Sequence, residues 1–173
     1  MNRIFLVGFM GAGKSSVGEA LAQLLSSRFV DLDERLCRRF DATVSEIFAR
    51  HGEAAFRAAE SEELAAMAAL EHDVVVATGG GAFCSREGRR LVEAAGGVSV
   101  YLHLPWEILR RRLRSDHAGR PKYGDENAAR QLWEERQDAY RRADVTVELS
   151  GRETPDEAAA MVAGALREAS CAT

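Results

Sequence analysis

The fold of this 173-residue chain is decided by one stretch near its beginning, Arg3-Ile4-Phe5-Leu6-Val7-Gly8-Phe9-Met10-Gly11-Ala12-Gly13-Lys14-Ser15-Ser16. A short apolar run, Ile4 to Val7, ends at Gly8, and a helical pattern of apolar residues begins at Val17. Between them the residues have the G-x-x-x-x-G-K-[ST] spacing. Because a strand precedes this spacing and a helix follows it, the stretch predicts a phosphate-binding loop.

The residue types of the loop explain how it binds phosphate. Gly11 and Gly13 let the backbone curl so that its N–H groups point inward, and the N-terminus of the next helix adds unpaired N–H groups. Lys14 would reach the β- and γ-phosphates, and the Ser15 hydroxyl would bind Mg²⁺. A glycine-rich turn before an ordinary helix is the alternative. Since Lys14 and Lys122 are the only lysines of the chain, we favour a nucleoside triphosphate site.

Composition limits the remaining possibilities. The length fits a single domain, 1–173. The net charge of −4 and the pI of about 5.6 disfavour a nucleic-acid partner, and no apolar run approaches the ~20 residues of a membrane span. The chain begins directly with the first strand, so we expect no targeting segment. The three cysteines are widely spaced, which favours a reducing cytoplasm and gives no support to a disulfide or zinc site.

Two acidic residues follow the first helix. We predict a strand from Phe29 to Asp33, in which Asp31 and Asp33 face the same side because side chains alternate along a strand. Asp31 could bind Mg²⁺ directly or through water, and Asp33 could accept a hydrogen bond from a substrate hydroxyl. A solvated strand end or a helix N-cap is the alternative.

The next segment predicts two helical pieces. Thr43 and Glu46 have the spacing of a capping box, and Gly52 interrupts the pattern before a longer helix from Glu53 to about Leu70. On that helix Arg57 and Glu60 are i,i+3 neighbours. Without further context this spacing favours a surface ion pair.

A buried strand, 73–77, ends in Thr78-Gly79-Gly80-Gly81. Ligands bind at the carboxyl ends of strands in open α/β sheets, where glycines allow a close backbone approach. A tight strand-to-helix turn is the alternative. This strand lacks the acidic residue that often follows it in nucleotide-binding proteins, so we assign metal binding to Ser15 and Asp31.

Arginines dominate the last third of the chain. The polar segment that follows the arginine-rich helix predicts a mobile flap, whose arginine could stabilise charge on a transferring phosphoryl group. For Arg110, Arg111 and Arg114 a solvated helix face is the better interpretation. Farther on, Arg136 shares a helix stripe with aromatic residues, a setting in which a guanidinium needs an anionic partner.

The chain resembles the shikimate kinase family of small P-loop kinases, related to the nucleoside-monophosphate kinases, along nearly its whole length. The resemblance rests on these motifs: the phosphate loop, Asp31-Leu32-Asp33, Gly52-Glu53-Ala54-Ala55-Phe56-Arg57-Ala58-Ala59-Glu60, Gly79-Gly80-Gly81, Arg120-Pro121, and Arg136 with Tyr140 and Ala143-Asp144. The phosphate loop is generic, whereas the combination is specific.

The resemblance implies a three-layer α/β P-loop kinase fold. Its five-stranded parallel sheet would have the order 2-3-1-4-5, with a substrate-binding helical part at about 33–61 and a flap at about 112–124. The implied activity transfers the γ-phosphoryl group of ATP to the 3-hydroxyl of shikimate, with Mg²⁺, in aromatic amino-acid biosynthesis. The expected protein is a cytoplasmic monomer without nucleic-acid or membrane partners.

The resemblance also implies the site residues. The catalytic residues would be Lys14, Asp33 and Arg120. The ATP-binding residues would be Gly11, Ala12, Gly13, Lys14, Ser15, Ser16, Arg112, Arg120 and Arg152. The substrate-binding residues would be Asp33, Arg57, Gly79, Gly80, Gly81 and Arg136, and the metal ligands Ser15 and Asp31. Arg57 and Arg136 would hold the substrate carboxylate, and Arg112 and Arg152 would flank the adenine.

One departure from the family pattern lies in the flap, where Lys122-Tyr123 replaces the common pair of leucines. Two other functions stay open. One is another small-molecule kinase of the same fold, for gluconate or a nucleotide. The other is a nucleotide-gated binding protein without transfer activity, which only the altered flap favours.

Overall fold

The computed structural model describes residues 3–70, 72–115 and 125–171. Its strands form a single parallel sheet in the order β2-β3-β1-β4-β5. The strands are β1 Arg3–Val7, β2 Arg28–Asp31, β3 Val74–Ala77, β4 Gly97–His103 and β5 Val145–Glu148. This is the order that the resemblance implies, so the predicted fold class is confirmed.

Helices connect the strands, and because every pair of strands is parallel, the carboxyl ends of the strands meet at one edge of the sheet. The helices are α1 Lys14–Leu24, α2 Leu32–Phe40, α3 Val44–Ala66, α4 Arg86–Ala94, α5 Trp106–Ser115, α6 Glu126–Tyr140 and α7 Pro155–Cys171. Single 3₁₀ turns cover Met67–Ala69 and Ala82–Cys84. Among the described residues, no helix has the length and apolar character that a membrane span requires.

The sheet carries the main core. Phe5, Leu6 and Val75 are completely buried, as expected for central parallel strands that are covered on both faces. A smaller apolar cluster of Leu36, Ile47, Phe56 and Ala59 joins α2 to α3. This second cluster supports the part of the chain for which we predict substrate binding.

The strand predicted from Phe29 to Asp33 is too long. β2 ends at Asp31 and α2 begins at Leu32, so Asp33 lies in the first turn of a helix. The cause is the Asp31 carboxylate, whose Oδ1 accepts hydrogen bonds from the N–H groups of Asp33 at 2.9 Å and Glu34 at 3.2 Å. This N-cap satisfies helix donors that a strand would leave unpaired.

The expectations for α3 are largely confirmed. Thr43 and Glu46 form a reciprocal capping box, and Gly52 interrupts the helix with φ 80° and ψ 169°. Because the left-handed region is unfavourable for residues with a Cβ, glycine suits this break. The second half of α3 ends at Ala66, short of the predicted Leu70.

Most of the predicted flap lies outside the described residues. Only 112–115 of the range 112–124 is described, as the end of α5. Arg120, Lys122 and Tyr123 fall in the remainder, so the roles predicted for them stay predictions. The division into one domain with a substrate-binding part at 33–61 also stays a prediction.

Candidate active site

A cavity of 480 Å³ lies at the carboxyl edge of the sheet. It brings together most of the predicted site residues, although they come from distant parts of the sequence. Those lining it are Gly11, Gly13, Lys14, Ser15, Ser16, Asp31, Asp33, Arg57, Gly79, Gly80, Gly81, Arg112 and Arg136. Ala12 is buried within the loop. Arg152 lies between β5 and α7 and is not part of the described lining.

The phosphate loop has the backbone that its sequence predicts. Gly11 and Gly13 adopt φ values of 76° and 91°, in the left-handed region that glycine enters without steric cost. Lys14 opens α1, and its ammonium donates hydrogen bonds to the carbonyls of Gly8 at 3.0 Å and Phe9 at 3.1 Å. The lysine head group therefore lies over the loop, next to the N-terminal N–H groups of α1.

Arg112 also contacts this loop. Its Nη1 donates a hydrogen bond of 3.0 Å to the Gly11 carbonyl, which joins the end of α5 to the phosphate loop. The guanidinium therefore lies at the phosphate end of the cavity. This position is compatible with nucleotide binding. The chain just before Arg152 also packs on α5, where a Cβ at Gly151 would overlap Ile108.

Ser15 and Asp31 form the candidate magnesium site. The Ser15 hydroxyl donates a hydrogen bond of 2.5 Å to Asp31 Oδ2, so a hydroxyl and a carboxylate oxygen lie side by side at the mouth of the loop. Mg²⁺ prefers hard oxygen ligands and usually takes one or two from protein, the others from phosphates and water. No cluster of three or more His, Cys, Asp or Glu ligands occurs among the described residues. The residues present fit a magnesium ion held jointly with phosphate.

The end of β3 cannot supply a further carboxylate. Thr78 occupies this position, is buried, and donates its hydroxyl to the Leu6 carbonyl at 2.9 Å. Its side chain therefore fastens β3 to β1 and has no role in metal binding.

Arg57 and Glu60 form a pair at the wall of the cavity. Arg57 Nη1 donates to Glu60 Oε2 at 2.7 Å, and Glu60 is only 3% exposed. The i,i+3 spacing favours a surface ion pair. That prediction is wrong for Glu60, because its carboxylate is buried. Burial raises the pKa of the Glu60 carboxyl, and the Arg57 guanidinium opposes that change. Among the described residues, Glu60 Oε1 has no hydrogen-bond partner.

Gly79 allows two carboxylates to approach the backbone. A Cβ at this position would lie 3.0 Å from Asp33 Oδ1 and would overlap Glu60 Oε1. A side chain at this position would therefore displace the Glu60 carboxylate from the cavity wall.

Arg136 reaches the same cavity from α6. Its Nη1 donates to the Gly80 carbonyl at 3.0 Å, and its guanidinium carbon lies 5.9 Å from the centre of the Phe9 ring. The positive charges of Arg57 and Arg136 therefore lie in one cavity with the phosphate loop. Two separate guanidinium groups in one pocket suit an anionic ligand.

Sequence reasoning missed two features of the cavity. Phe48 and Phe56 stack with ring centroids 4.4 Å apart and form an apolar wall. The Tyr140 hydroxyl donates a hydrogen bond to the Gly80 carbonyl. Tyr140 and Arg136 already belong to one family motif, and their i,i+4 spacing puts both on one face of α6. Neither observation indicates the Gly80 carbonyl as the acceptor of the Tyr140 hydroxyl.

The parallel sheet order, the lysine-bearing phosphate loop and the adjacent acceptor pocket define a P-loop kinase. Comparison with known proteins narrows this class. The profile of the shikimate kinase family matches residues 10–167, and the chain accordingly belongs to the shikimate kinase family.

Individual relatives agree with the family match. The chain is 42% identical to a shikimate kinase of Cereibacter sphaeroides over 166 residues, which cover 94% of this chain and 81% of the relative. It is 39% identical to a shikimate kinase of Geobacter metallireducens over 159 residues, covering 90% and 87%. The solved structure of the Acinetobacter baumannii shikimate kinase in complex with shikimate superposes with a TM-score of 0.88 at 34% identity, covering 96% and 93%.

Proposed function

We propose that this protein catalyses the ATP-dependent phosphorylation of the 3-hydroxyl of shikimate, with shikimate 3-phosphate and ADP as products. The observation that carries the proposal is the convergence of Arg57 and Arg136 on the cavity that also contains the phosphate loop. A carboxylate acceptor held by these arginines would lie beside the terminal phosphate of a nucleotide. Family membership supports the same acceptor.

At the nucleotide end, the residues Gly11 to Ser16 enclose the triphosphate with backbone N–H groups. Lys14 can exchange its carbonyl partners for phosphate oxygens, because its ammonium is a flexible point charge. The Ser15 hydroxyl and the Asp31 carboxylate would hold Mg²⁺, which would neutralise charge on the phosphates. Arg112 supports the loop through the Gly11 carbonyl.

At the acceptor end, Arg57 and Arg136 bind the carboxylate of shikimate. Charge-assisted hydrogen bonds of this type contribute about 1.5–3 kcal/mol each. Glu60 holds Arg57 Nη1 at 2.7 Å and Glu53 approaches Nη2 at 3.4 Å. A guanidinium has five N–H donors, so donors remain for the ligand. The backbone of Gly79, Gly80 and Gly81 approaches the substrate closely since no side chain intervenes.

Catalysis is assigned to Lys14, Asp33 and Arg120. Asp33 accepts hydrogen bonds from the ring hydroxyls and orients the one that attacks phosphorus, whereas Lys14 stabilises charge on the transferring group. We propose that Arg120 contacts the phosphates and that Arg152 contacts the adenine. Both roles rest on the family resemblance alone. The apolar wall of Phe48 and Phe56 matches the carbon face of a ring.

We further propose a cytoplasmic monomer. The described cysteines, Cys37, Cys84 and Cys171, are all free thiols, which suits a reducing compartment. Size-exclusion chromatography with light scattering tests the oligomeric state, for which a mass near 18.9 kDa is expected.

An ADP-release assay tests the activity. We expect Mg²⁺-dependent turnover with shikimate, and none with gluconate or a nucleoside monophosphate. Turnover with either of those acceptors and none with shikimate would replace the proposed substrate. Saturable ATP binding without phosphorylation of any of the acceptors would indicate a nucleotide-gated binding protein.

A further inference from the structure

The Gly80 carbonyl is a point where three side chains converge. It accepts hydrogen bonds from Arg136 Nη1 at 3.0 Å and from the Tyr140 hydroxyl, and the Cys84 thiol lies 3.7 Å away. Arg136 and Tyr140 are one helical turn apart on α6. The same helix therefore carries a substrate-facing cation and a neutral donor that share one acceptor.

Packing fixes where the Tyr140 hydroxyl lies. Tyr140 is completely buried, and its ring stacks on Tyr101 with the centroids 5.1 Å apart. A buried phenol needs a hydrogen-bond partner, and the Gly80 carbonyl is that partner. Burial raises the pKa of Tyr140 well above its usual value, so the hydroxyl remains a neutral donor at the pH of the cell.

The backbone that receives this bond has little rigidity of its own. Three consecutive glycines, Gly79 to Gly81, lack the steric limits that a Cβ imposes. Since a peptide unit is planar, rotation of the Gly80–Gly81 peptide would turn the Gly80 carbonyl and the Gly81 N–H together. That motion would release the carbonyl from Arg136 and alter the wall of the acceptor pocket.

Arg136 alone is a poor anchor for this peptide. Its guanidinium has five N–H donors, but a bound carboxylate competes with the Gly80 carbonyl for them. Tyr140 cannot be redirected in this way because its ring is held by Tyr101 and the surrounding core. Its hydrogen bond keeps the Gly80 carbonyl satisfied and in place while Arg136 engages an anion.

We propose that Tyr140 is a positioning residue for the acceptor site. Its hydroxyl holds the Gly80 peptide in one orientation, and the Gly80 carbonyl in turn aims the Arg136 guanidinium at the acceptor's carboxylate. The inference extends the proposed function and rests on it for the identity of the acceptor, while the effect on the glycine segment is independent of any substrate.

The chain provides a matched control in Tyr101. Tyr101 is 2% exposed, and its hydroxyl also donates to α6, at 2.8 Å to Gln137 Oε1. Tyr101→Phe and Tyr140→Phe therefore each remove one buried hydroxyl from the same stacked pair. Of these two tyrosines, Tyr140 is the one whose hydroxyl donates to Gly80.

The kinetic test compares the KM values of both variants for both substrates. Tyr140→Phe is expected to raise the KM for shikimate roughly 3- to 10-fold and to leave the KM for ATP within about 2-fold. Tyr101→Phe is expected to leave both within about 2-fold. An unchanged KM for shikimate in Tyr140→Phe, an equal rise for ATP, or the same rise in Tyr101→Phe would overturn the proposal.

Hydrogen–deuterium exchange tests the positioning without substrate. Amide exchange in the peptide that covers 79–84 should accelerate in Tyr140→Phe relative to Tyr101→Phe, and equal rates would refute the role of Tyr140. If Tyr140→Phe does not fold, replacing Tyr140 by 4-fluorophenylalanine fills the same space without a donor, and the same expectations apply. Absence of wild-type turnover with shikimate would refute the proposed function. The exchange result tests the positioning role of Tyr140 independently of that outcome.

Discussion

The Arg136 guanidinium donates a hydrogen bond of 3.0 Å to the Gly80 carbonyl, across 56 positions of sequence. The contact ties α6 to the turn after β3 and places a positive charge in the cavity that Arg57 also lines. An acceptor with a carboxylate thus meets a pocket whose cations are already held in position, which reduces the ordering cost of binding.

Arg136→Ala is the direct test of this pocket. We expect kcat/KM for shikimate to fall by a factor that corresponds to a loss of about 2–4 kcal/mol in transition-state binding. The KM for ATP should change little. Arg130→Ala is the control, because Arg130 lies on the same helix and pairs with Glu134 at the surface. Equal losses for both substrates would contradict the role assigned to Arg136.

Lys14→Ala should reduce kcat by about 100-fold or more, since phosphoryl transfer depends on charge stabilisation and positioning. Lys14 also bonds the Gly8 and Phe9 carbonyls, so Lys14→Arg, which keeps a cationic donor, controls for loosening of the loop. Thermal unfolding of both variants shows whether the fold persists. A kcat near the wild-type value in Lys14→Ala would be incompatible with the proposed mechanism.

Asp31→Asn separates the role of Asp31 as the N-cap of α2 from its proposed role as a metal ligand. Asparagine caps helices as well as aspartate does, so the unfolding temperature should change little. The Mg²⁺ concentration for half-maximal activity should rise roughly 10-fold, because a charged ligand is lost. Asp125→Asn is the matched control, as Asp125 caps α6 in the same way. If the two variants need the same Mg²⁺ concentration, Asp31 is not a metal ligand.

The buried carboxyl of Glu60 should make the unfolding free energy of the protein depend on pH. Burial raises the pKa of this carboxyl above its ordinary 4.5, so the folded protein binds more protons than the unfolded chain above that pH. The contribution of Glu60 to the unfolding free energy therefore falls as the pH rises from 4.5 through the raised pKa. Glu60→Gln removes this dependence, and its melting temperature relative to wild type should improve as the pH rises above 4.5.

Glu53→Gln provides the control for that measurement. Glu53 pairs with the same Arg57 at 3.4 Å but is solvent-exposed, so its replacement should leave the profile of melting temperature against pH close to that of wild type. A constant difference between Glu60→Gln and wild type across this range would show that the Glu60 carboxyl titrates normally.

The fold and the nucleotide end of the site could be predicted from sequence because the phosphate-loop spacing specifies a local backbone. The helical conformation of Asp33 differs from the predicted strand, since the Asp31 side chain caps a helix there. The buried state of Glu60 and the Tyr140–Gly80 bond depend on how distant elements pack. Local spacing carries no information on either.

The roles of Arg57 and Arg136 came from a combination of motifs, as neither residue is distinctive alone. The structure brings both to the cavity, and the family is confirmed by the comparisons. The roles assigned to individual site residues remain predictions that the variants above can test.

Because Thr78 offers no carboxylate, the proposed metal site depends on the outer strand β2. With threonine at the end of a central strand, the carboxylate for the proposed ion would come from Asp31, at the tip of the four-residue outermost strand β2. Outer strands fray at a lower free energy than central ones. Mild denaturant should therefore abolish the response to magnesium before the sheet itself melts, so the enzyme would lose its activity while it still looked folded.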